Sequence, residues 1–250
     1  MGRMAAQSFV IILLLAVAAC TTGKPPASAP YYSSPGDSST TARQDKLSWW
    51  SYRFRINWPE QNNAPDFFVD SMLAHRIIQP VLVAHHTRIA WWRFHRRAAR
   101  KPPGHQFSFL FYTDRVTAEQ VIAEINANSL VDTAIGDGII NKVVYSDTAD
   151  PDGAALEDMS DPSWPPVIQR TWPSYIMGVS AFWLSLIDEL YAENHPLDQA
   201  LANTGNVDQL LAQYRDIDEE IGLLWAEEGR HALLHHLNAM FGYKPMEIRY

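Results

Sequence analysis

The sequence predicts an α+β fold, with a small mixed sheet of about three strands, covering helices and a C-terminal helical region. Residues 50–58 alternate between apolar and polar side chains, which is the period of a half-buried strand. Two short apolar runs, at 107–112 and 139–145, also have the length of strands. Beyond residue 174 apolar residues recur every three or four positions, which indicates helices.

The first strand begins at Trp50 and ends before Pro59. Residues 66–78 and 80–100 then have helical spacing, and Pro80 stands where a helix can begin or kink. The aromatic run from Phe107 to Tyr112 follows a Pro-Pro-Gly turn. It is too short for a helix and favours a buried strand.

A helix is expected to open at Thr117, because Gln120 stands three residues later in a capping-box pattern. Residues 139–145 form the third predicted strand after a turn at Gly136 and Gly138. The order of elements is therefore strand, helices, strand, helix, strand. This order resembles that of ferredoxin-like domains without matching one fully.

An acidic, proline-rich loop, residues 149–173, separates the α+β region (46–148) from the helical region (174–250). We expect the two regions to pack as one domain. The segment from Tyr175 to Leu190 is apolar enough to form a central buried helix. A longer helix starts at Val207 and stops at Gly242, with a proline just beyond.

The composition bounds the possible functions. The chain has 250 residues, of which 47% are hydrophobic and 19% charged, so its core needs no metal or disulfide. Its single cysteine excludes an internal disulfide, a zinc site built on paired cysteines and a dithiol redox centre. The formal net charge of −8 disfavours nucleic acid as a partner.

The N-terminus has the layout of a secretory signal, with Arg3, an apolar run over residues 9–17 and then small residues. The motif Val17-Ala18-Ala19-Cys20 resembles the lipobox of bacterial lipoproteins. The resemblance implies that residues 1–19 are a signal peptide and that Cys20 is acylated. Thr21, where an Asp would mark inner-membrane retention, favours an outer-membrane lipid anchor facing the periplasm. The alternative is an ordinary signal peptide that leaves Cys20 free.

Residues 20–45 comprise the lipidated cysteine and a flexible tether. After Cys20 they are mostly Ser, Thr, Pro, Gly and Ala, with no periodic apolar pattern to bury. A flexible tether of this length reaches about 28 Å. The folded part is therefore expected to stand near the membrane without entering it.

A metal site is possible on the last helix. Glu228, His231 and His235 continue its apolar stripe, so they face the interior together if the stripe stays buried. Side chains of these types bind zinc or another transition metal. His85 or His86, in a separate predicted helix, is the expected additional ligand. The alternative is that the buried side of the helix rotates and leaves the three side chains in water.

Four arginines crowd one short segment: Arg93, Arg96, Arg97 and Arg100. Residues 42–101 hold eleven Lys and Arg against four Asp and Glu, whereas residues 102–250 hold seven against 23. Because the two halves have opposite charge, we expect these arginines to pair with acidic residues of the C-terminal helices. The alternative is a basic aromatic helix that lies on anionic headgroups or another anionic envelope component.

An acidic loop runs from Asp147 to Asp161. In an EF-hand register set by Gly153, Thr148 and Met159 stand where acidic ligands are required. A solvated acidic loop is therefore expected there.

These features predict a non-enzymatic outer-membrane lipoprotein, without a cofactor, whose periplasmic domain binds a partner protein or an envelope component. The lipobox is specific, whereas no pattern in the mature domain specifies a catalytic site. The alternative function is a metal-dependent hydrolase or metal-binding protein that uses Glu228, His231 and His235.

Overall fold

The computed structural model describes residues 46–61, 64–150, 153–194 and 207–245. Its sheet consists of β1 (Ser48–Ile56), β2 (Trp91–Arg97), β3 (His105–Thr113) and β4 (Ile140–Tyr145). Their spatial order is β2-β3-β1-β4, and each neighbouring pair is antiparallel. The α+β class is confirmed, although the sheet has four strands instead of three and is antiparallel instead of mixed.

β1 lies at the centre of the fold because β3 and β4 pair with its two edges. Its register places Trp50 opposite Phe111 and Phe54 opposite Phe107. The alternation of apolar and polar residues predicts that one face of β1 is exposed to solvent. In the structure two residues, Arg53 and Arg55, are half-buried, and the other residues of β1 are buried. The buried hydroxyl of Ser51 is accommodated because it shares a hydrogen bond with Ser146 Oγ at 3.0 Å. The strand is therefore covered on both faces.

The prediction of a helix over residues 80–100 is wrong. One continuous helix runs through α1 (Phe68–Leu73), a π-helical turn (Ala74–Ile78) and α2 (Gln79–His85), and the chain then turns into β2. The aromatic residues of β2 have high strand preference, and β3 supplies the backbone hydrogen bonds that fix them as a strand. Tertiary pairing thus overrides an ambiguous local pattern.

Two further helices follow β3: α3 (Arg115–Asn126) and α4 (Ser129–Gly136). The N-cap of α3 is Asp114, which accepts the backbone N–H of Thr117 at 2.9 Å, so the helix begins earlier than the capping box predicts. With these helices the chain follows β-α-β-β-α-β connectivity, and the strand order is that of a split βαβ sheet.

Two long helices complete the fold. After a short 3₁₀ turn (Leu156–Met159), α5 (Pro166–Asn194) packs against β2, and α6 (Val207–Glu228) packs against α1. A second π-helical turn (Gly229–His235) and α7 (His236–Met240) continue α6. α5 starts at Pro166, a residue that is favourable in a first helical turn, so the last eight residues of the predicted loop over 149–173 are helical.

α5 also closes an open edge of the sheet. The backbone N–H of Phe94 on edge strand β2 donates to Ser180 Oγ of α5 at 3.0 Å. An edge strand exposes unpaired amides unless another element covers it.

Within the described part of the chain, no helix is both long and apolar enough to cross a membrane.

Candidate functional site

Asp70 is a carboxylate on α1 with no exposed surface. Its Oδ2 accepts a hydrogen bond from Arg96 Nε at 2.9 Å, and its Oδ1 lies 2.9 Å from Nε2 of the buried His105. Arg96 belongs to β2 and His105 to β3, so one carboxylate joins the helix layer to two strands. A buried carboxylate is tolerated only when partners compensate its charge, and both partners are provided here.

Arg96 extends this network to the C-terminal helices. Its Nη2 donates to Asp218 Oδ1 on α6 at 3.2 Å and to the Phe67 carbonyl oxygen at 2.8 Å. The guanidinium carbon lies 4.8 Å from the ring centroids of Phe67 and Trp183. Asp218 accepts a second hydrogen bond from Ser71 Oγ at 3.0 Å. Arg96 is therefore the residue that links strand β2, helix α1 and helix α6.

A second polar network surrounds His75, which lies in the π-helical turn after α1. Its Nδ1 is 2.5 Å from the Tyr214 hydroxyl on α6, and its Nε2 is 3.2 Å from Asp188 Oδ1 on α5. A neutral imidazole with its proton on Nε2 satisfies both partners, because Tyr214 then donates to Nδ1 and Nε2–H donates to Asp188. Burial lowers the pKa of His75, against the opposing effect of Asp188, and burial raises the pKa of Tyr214.

A carboxylate, an imidazole and a hydroxyl in sequence form the arrangement with which many enzymes activate a nucleophile. Here the Tyr214 side chain is fully buried and stacks on Tyr191 with ring centroids 5.8 Å apart. A substrate therefore cannot reach its hydroxyl, which is bonded to His75 inside the core. The network therefore serves to hold α5 and α6 on the helix layer.

The two networks also fix the direction of α6. Ser71 and His75 are one turn apart on the first helix, and their partners Asp218 and Tyr214 are one turn apart in the reverse order. α6 thus runs antiparallel to α1, and beyond Ile221 it passes the N-terminal end of α1. Among residues 222–245 only Gly229 is buried. We call residues 222–245 the C-terminal arm.

Of the two arrangements that the sequence allows for Glu228, His231 and His235, the structure shows the one in which the buried side of the helix leaves them in water. All three are exposed, because the arm extends past the elements that bury the first half of α6. The π-helical turn stacks His231 on His235, with ring centroids 5.4 Å apart, and His236 meets His231 edge-on at 6.0 Å. Among the residues that the structure describes, no three His, Cys, Asp or Glu side chains are arranged to hold a metal ion.

The other predicted histidine pair has different partners. His85 is buried, with its Nε2 2.8 Å from Glu124 Oε2 on α3 and its Nδ1 2.6 Å from Arg88 Nη2. His86 is exposed, and its Nδ1 lies 2.9 Å from the Val83 carbonyl oxygen. His85 therefore joins α2 to α3 within the domain.

The arm exposes a large apolar surface. Trp225 covers Gly229, where an added Cβ would stand 3.0 Å from the indole ring, yet 58% of Trp225 remains in water. Met240 and Phe241 are 85% and 70% exposed. The exposed apolar residues of the arm are Leu223, Leu224, Trp225, Leu234, Leu237, Met240, Phe241 and Tyr243.

A second exposed apolar surface lies on α5, which the sequence predicts as a wholly buried helix. Only one face of α5 is buried, through residues such as Ser180, Leu184 and Ile187. A different face carries a row of apolar side chains that are exposed or half-buried. We call this row the α5 stripe, and its members are Ile168, Trp172, Tyr175, Val179, Phe182 and Leu186.

The four predicted arginines lie on β2 and in the turn after it, not on a helix. Arg96 pairs with Asp218, an acidic residue of a C-terminal helix. Arg93 is half-buried, burial lowers its pKa, and its Nε has no hydrogen-bond partner among the described residues. Arg97 is exposed. The Arg100 guanidinium carbon lies 3.6 Å from the ring centroid of Trp58.

The two remaining predicted features are the acidic loop and the lipidated tether. In the acidic loop, Asp158 Oδ2 accepts the Ala155 N–H at 2.6 Å and Asp161 Oδ1 accepts the Ser163 N–H at 2.8 Å. These carboxylates therefore cap local turns. Cys20 and the tether lie outside the described residues, so acylation stays a prediction.

Comparison with protein-family models, with curated proteins and with solved structures finds no match to this chain. The residues of the two buried networks therefore have to be assigned from geometry alone. Sequence reasoning missed Asp70, His75 and Asp188 altogether. One signal was available, since Asp70, Ser71 and His75 are polar residues on the first helix whose neighbours are strongly apolar.

Proposed function

We propose that this chain is an outer-membrane lipoprotein, acylated at Cys20, whose folded part binds a partner protein in the periplasm and catalyses no reaction. The observation that carries the proposal is the C-terminal arm. Eight large apolar side chains of the arm expose between 37% and 85% of their surface. Isolated exposed apolar residues are ordinary, whereas eight of them within one short segment are typical of an interaction site.

The charge of the arm favours a protein over a lipid surface. Between residues 222 and 245 two acidic residues, Glu227 and Glu228, balance two basic ones, Arg230 and Lys244. A helix that lies on anionic headgroups is rich in Lys and Arg on its polar face. An apolar helix whose charges sum to zero suits an apolar groove of another protein, in the manner of helix-in-groove recognition.

The buried networks support a binding role over a catalytic one. Asp70, His105, His75 and Tyr214 are buried and hydrogen-bonded to groups of the protein itself. A catalytic group has to come within hydrogen-bond reach of the substrate. Among the described residues, several of the titratable groups of the arm line a groove that is open to water.

Photocrosslinking in intact cells tests this proposal. A photoreactive amino acid at Leu234, which is 51% exposed on the arm, is expected to give one discrete adduct with another envelope protein. The same amino acid at Val116, which is 47% exposed on α3, is the matched control and is expected to give none. The adduct is identified by mass spectrometry, and the interaction is then reproduced with both proteins purified.

Two outcomes of this experiment would contradict the proposal. Adducts of equal yield from Leu234 and Val116 would indicate nonspecific contact. A lack of any protein adduct at Leu234, Trp225 and Leu237 would show that the arm has no protein partner.

A further inference from the structure

The α5 stripe has the spacing of a coiled-coil seam. Its residues follow one another at intervals of four, three, four, three and four, from Ile168 to Leu186. This is the a/d repeat with which two helices interlock. At about 100° per residue, the stripe lies roughly 130° around α5 from the buried face of Ser180, Leu184 and Ile187. It therefore faces away from the domain and can meet another helix, with the Trp164 ring packed on Trp172 at one end, ring centroids 4.9 Å apart.

We infer that the α5 stripe is the interface of a symmetric homodimer, in which α5 packs antiparallel against α5 of a second copy. In that arrangement each a position meets a d position of the partner, as in antiparallel coiled coils. Ile168 faces Leu186, Trp172 faces Phe182, and Tyr175 faces Val179. A twofold axis makes each of these three contacts twice, so one seam is complementary to itself.

The charges along α5 favour this occupant and this direction. Arg170 is the only charged residue between residues 167 and 187, so two copies approach without like-charge repulsion despite the net charge of −8. The C-terminal end of α5 is acidic, with Asp188, Glu189 and Glu193. A parallel pair would place these carboxylates side by side. An antiparallel pair places Glu189 near the positive N-terminal end of the partner helix, whereas Arg170 lies on the side of α5 opposite the stripe.

The same charges argue against a lipid surface as the occupant, because a helix bound to headgroups carries several basic residues. The exposed area fits a dimer. Ile168, Tyr175, Val179 and Phe182 each expose 45–47% of their surface. With roughly 200 Å² for a large side chain, the stripe and its flanks bury on the order of 1,000 Å² in a dimer, about the minimum for a specific interface.

Cysteine crosslinking of the full-length chain in proteoliposomes tests both the dimer and its direction. The double variant Tyr175→Cys/Val179→Cys is expected to form a disulfide-linked dimer, since these positions face each other in the antiparallel pair. Each single variant is expected to give little dimer. Two copies of one position are offset by about 6 Å along the axis, and the Cα–Cα distance, which combines this offset with the lateral separation of the helices, then exceeds the roughly 7 Å limit of a disulfide. The parent chain measures any background from Cys20.

A charge at the seam provides the matched test. Phe182→Glu in the double-cysteine variant is expected to lower the crosslinked fraction at least tenfold, because two buried carboxylates would face an apolar partner. Tyr175→Glu in the parent chain is expected to lower the dimer fraction on light scattering in the same way. Val83→Glu makes the same change at a residue that is 68% exposed on α2, and it is expected to leave the dimer intact.

Three results would overturn the inference. A dimer from Val179→Cys alone would indicate a parallel pair. A monomeric parent chain with no crosslink would show that the stripe has no second copy on it. Protection of Val179→Cys from a water-soluble maleimide only when lipid is present would make the stripe a membrane contact.

Discussion

Replacing Asp70 by Ala removes the carboxylate that joins α1 to both β2 and β3. The change leaves Arg96 and the buried His105 without their shared partner. Removing one member of a buried ion pair costs about 3–5 kcal/mol, since the remaining charge stays desolvated. Asp70→Asn keeps the shape and one acceptor oxygen, so it is expected to cost less than the alanine substitution.

Urea unfolding at pH 7 of a chain that begins at Gln44 measures this effect. For a domain of this size the dependence of the unfolding free energy on urea is about 2 kcal/mol per molar. The midpoint of Asp70→Ala is therefore expected to fall by about 1.5–2.5 M, with circular dichroism as the readout.

The matched control is Glu119→Ala. Glu119 also pairs with an arginine, Arg115 at 3.5 Å, but the two side chains are 46% and 61% exposed. An exposed pair of this kind on a helix contributes about 0.3–0.5 kcal/mol. If Asp70→Ala lowers stability no more than Glu119→Ala does, the network around Asp70 does not hold the helix layer to the sheet, and the reasoning is refuted.

Three further changes test other parts of the account. Cys20→Ser is expected to prevent acylation, so that the chain leaves the detergent phase; a variant that still partitions there with the mature mass would contradict the lipobox. Burial lowers the pKa of His75 below its ordinary 6.5, so the unfolded chain binds the proton first and stability is lost as the pH falls below about 6.5. His75→Gln is expected to flatten this decline in Tm, whereas the exposed-site change His86→Gln is expected to preserve it; equal slopes would remove His75 as the cause. Ser180→Ala deprives the Phe94 amide of its acceptor and is expected to cost about 1–3 kcal/mol of unfolding free energy, and a loss below 0.5 kcal/mol would show that this amide finds another partner.

Periodic segments were the predictable part of the fold. β1, β3 and β4 follow apolar runs of strand length, and the last helix follows a regular stripe from Val207 onward. β2 was not predictable in this way. Its run of Trp, Arg, Phe and His has no clear period, and its strand conformation depends on pairing with β3.

The candidate sites were less predictable, because they depend on contacts between distant segments. His75 and Tyr214 are 139 positions apart, and Ser71 and Asp218 are 147 apart. The stripe of α6 correctly indicated a long helix. It could not indicate where the domain ends along that helix, and this is why the sequence left open whether Glu228, His231 and His235 are buried or in water.

The affinity of the purified chain for the partner identified by crosslinking shows whether the C-terminal arm is the binding surface. Leu234→Asp places a charge in the apolar surface of the arm, and Val116→Asp makes the same change at a similarly exposed residue of α3. If the arm binds the partner, Leu234→Asp weakens binding at least tenfold, as expected for a central contact residue, and Val116→Asp leaves Kd unchanged. Equal Kd values for the parent chain and Leu234→Asp would contradict the assignment of the arm as the binding surface.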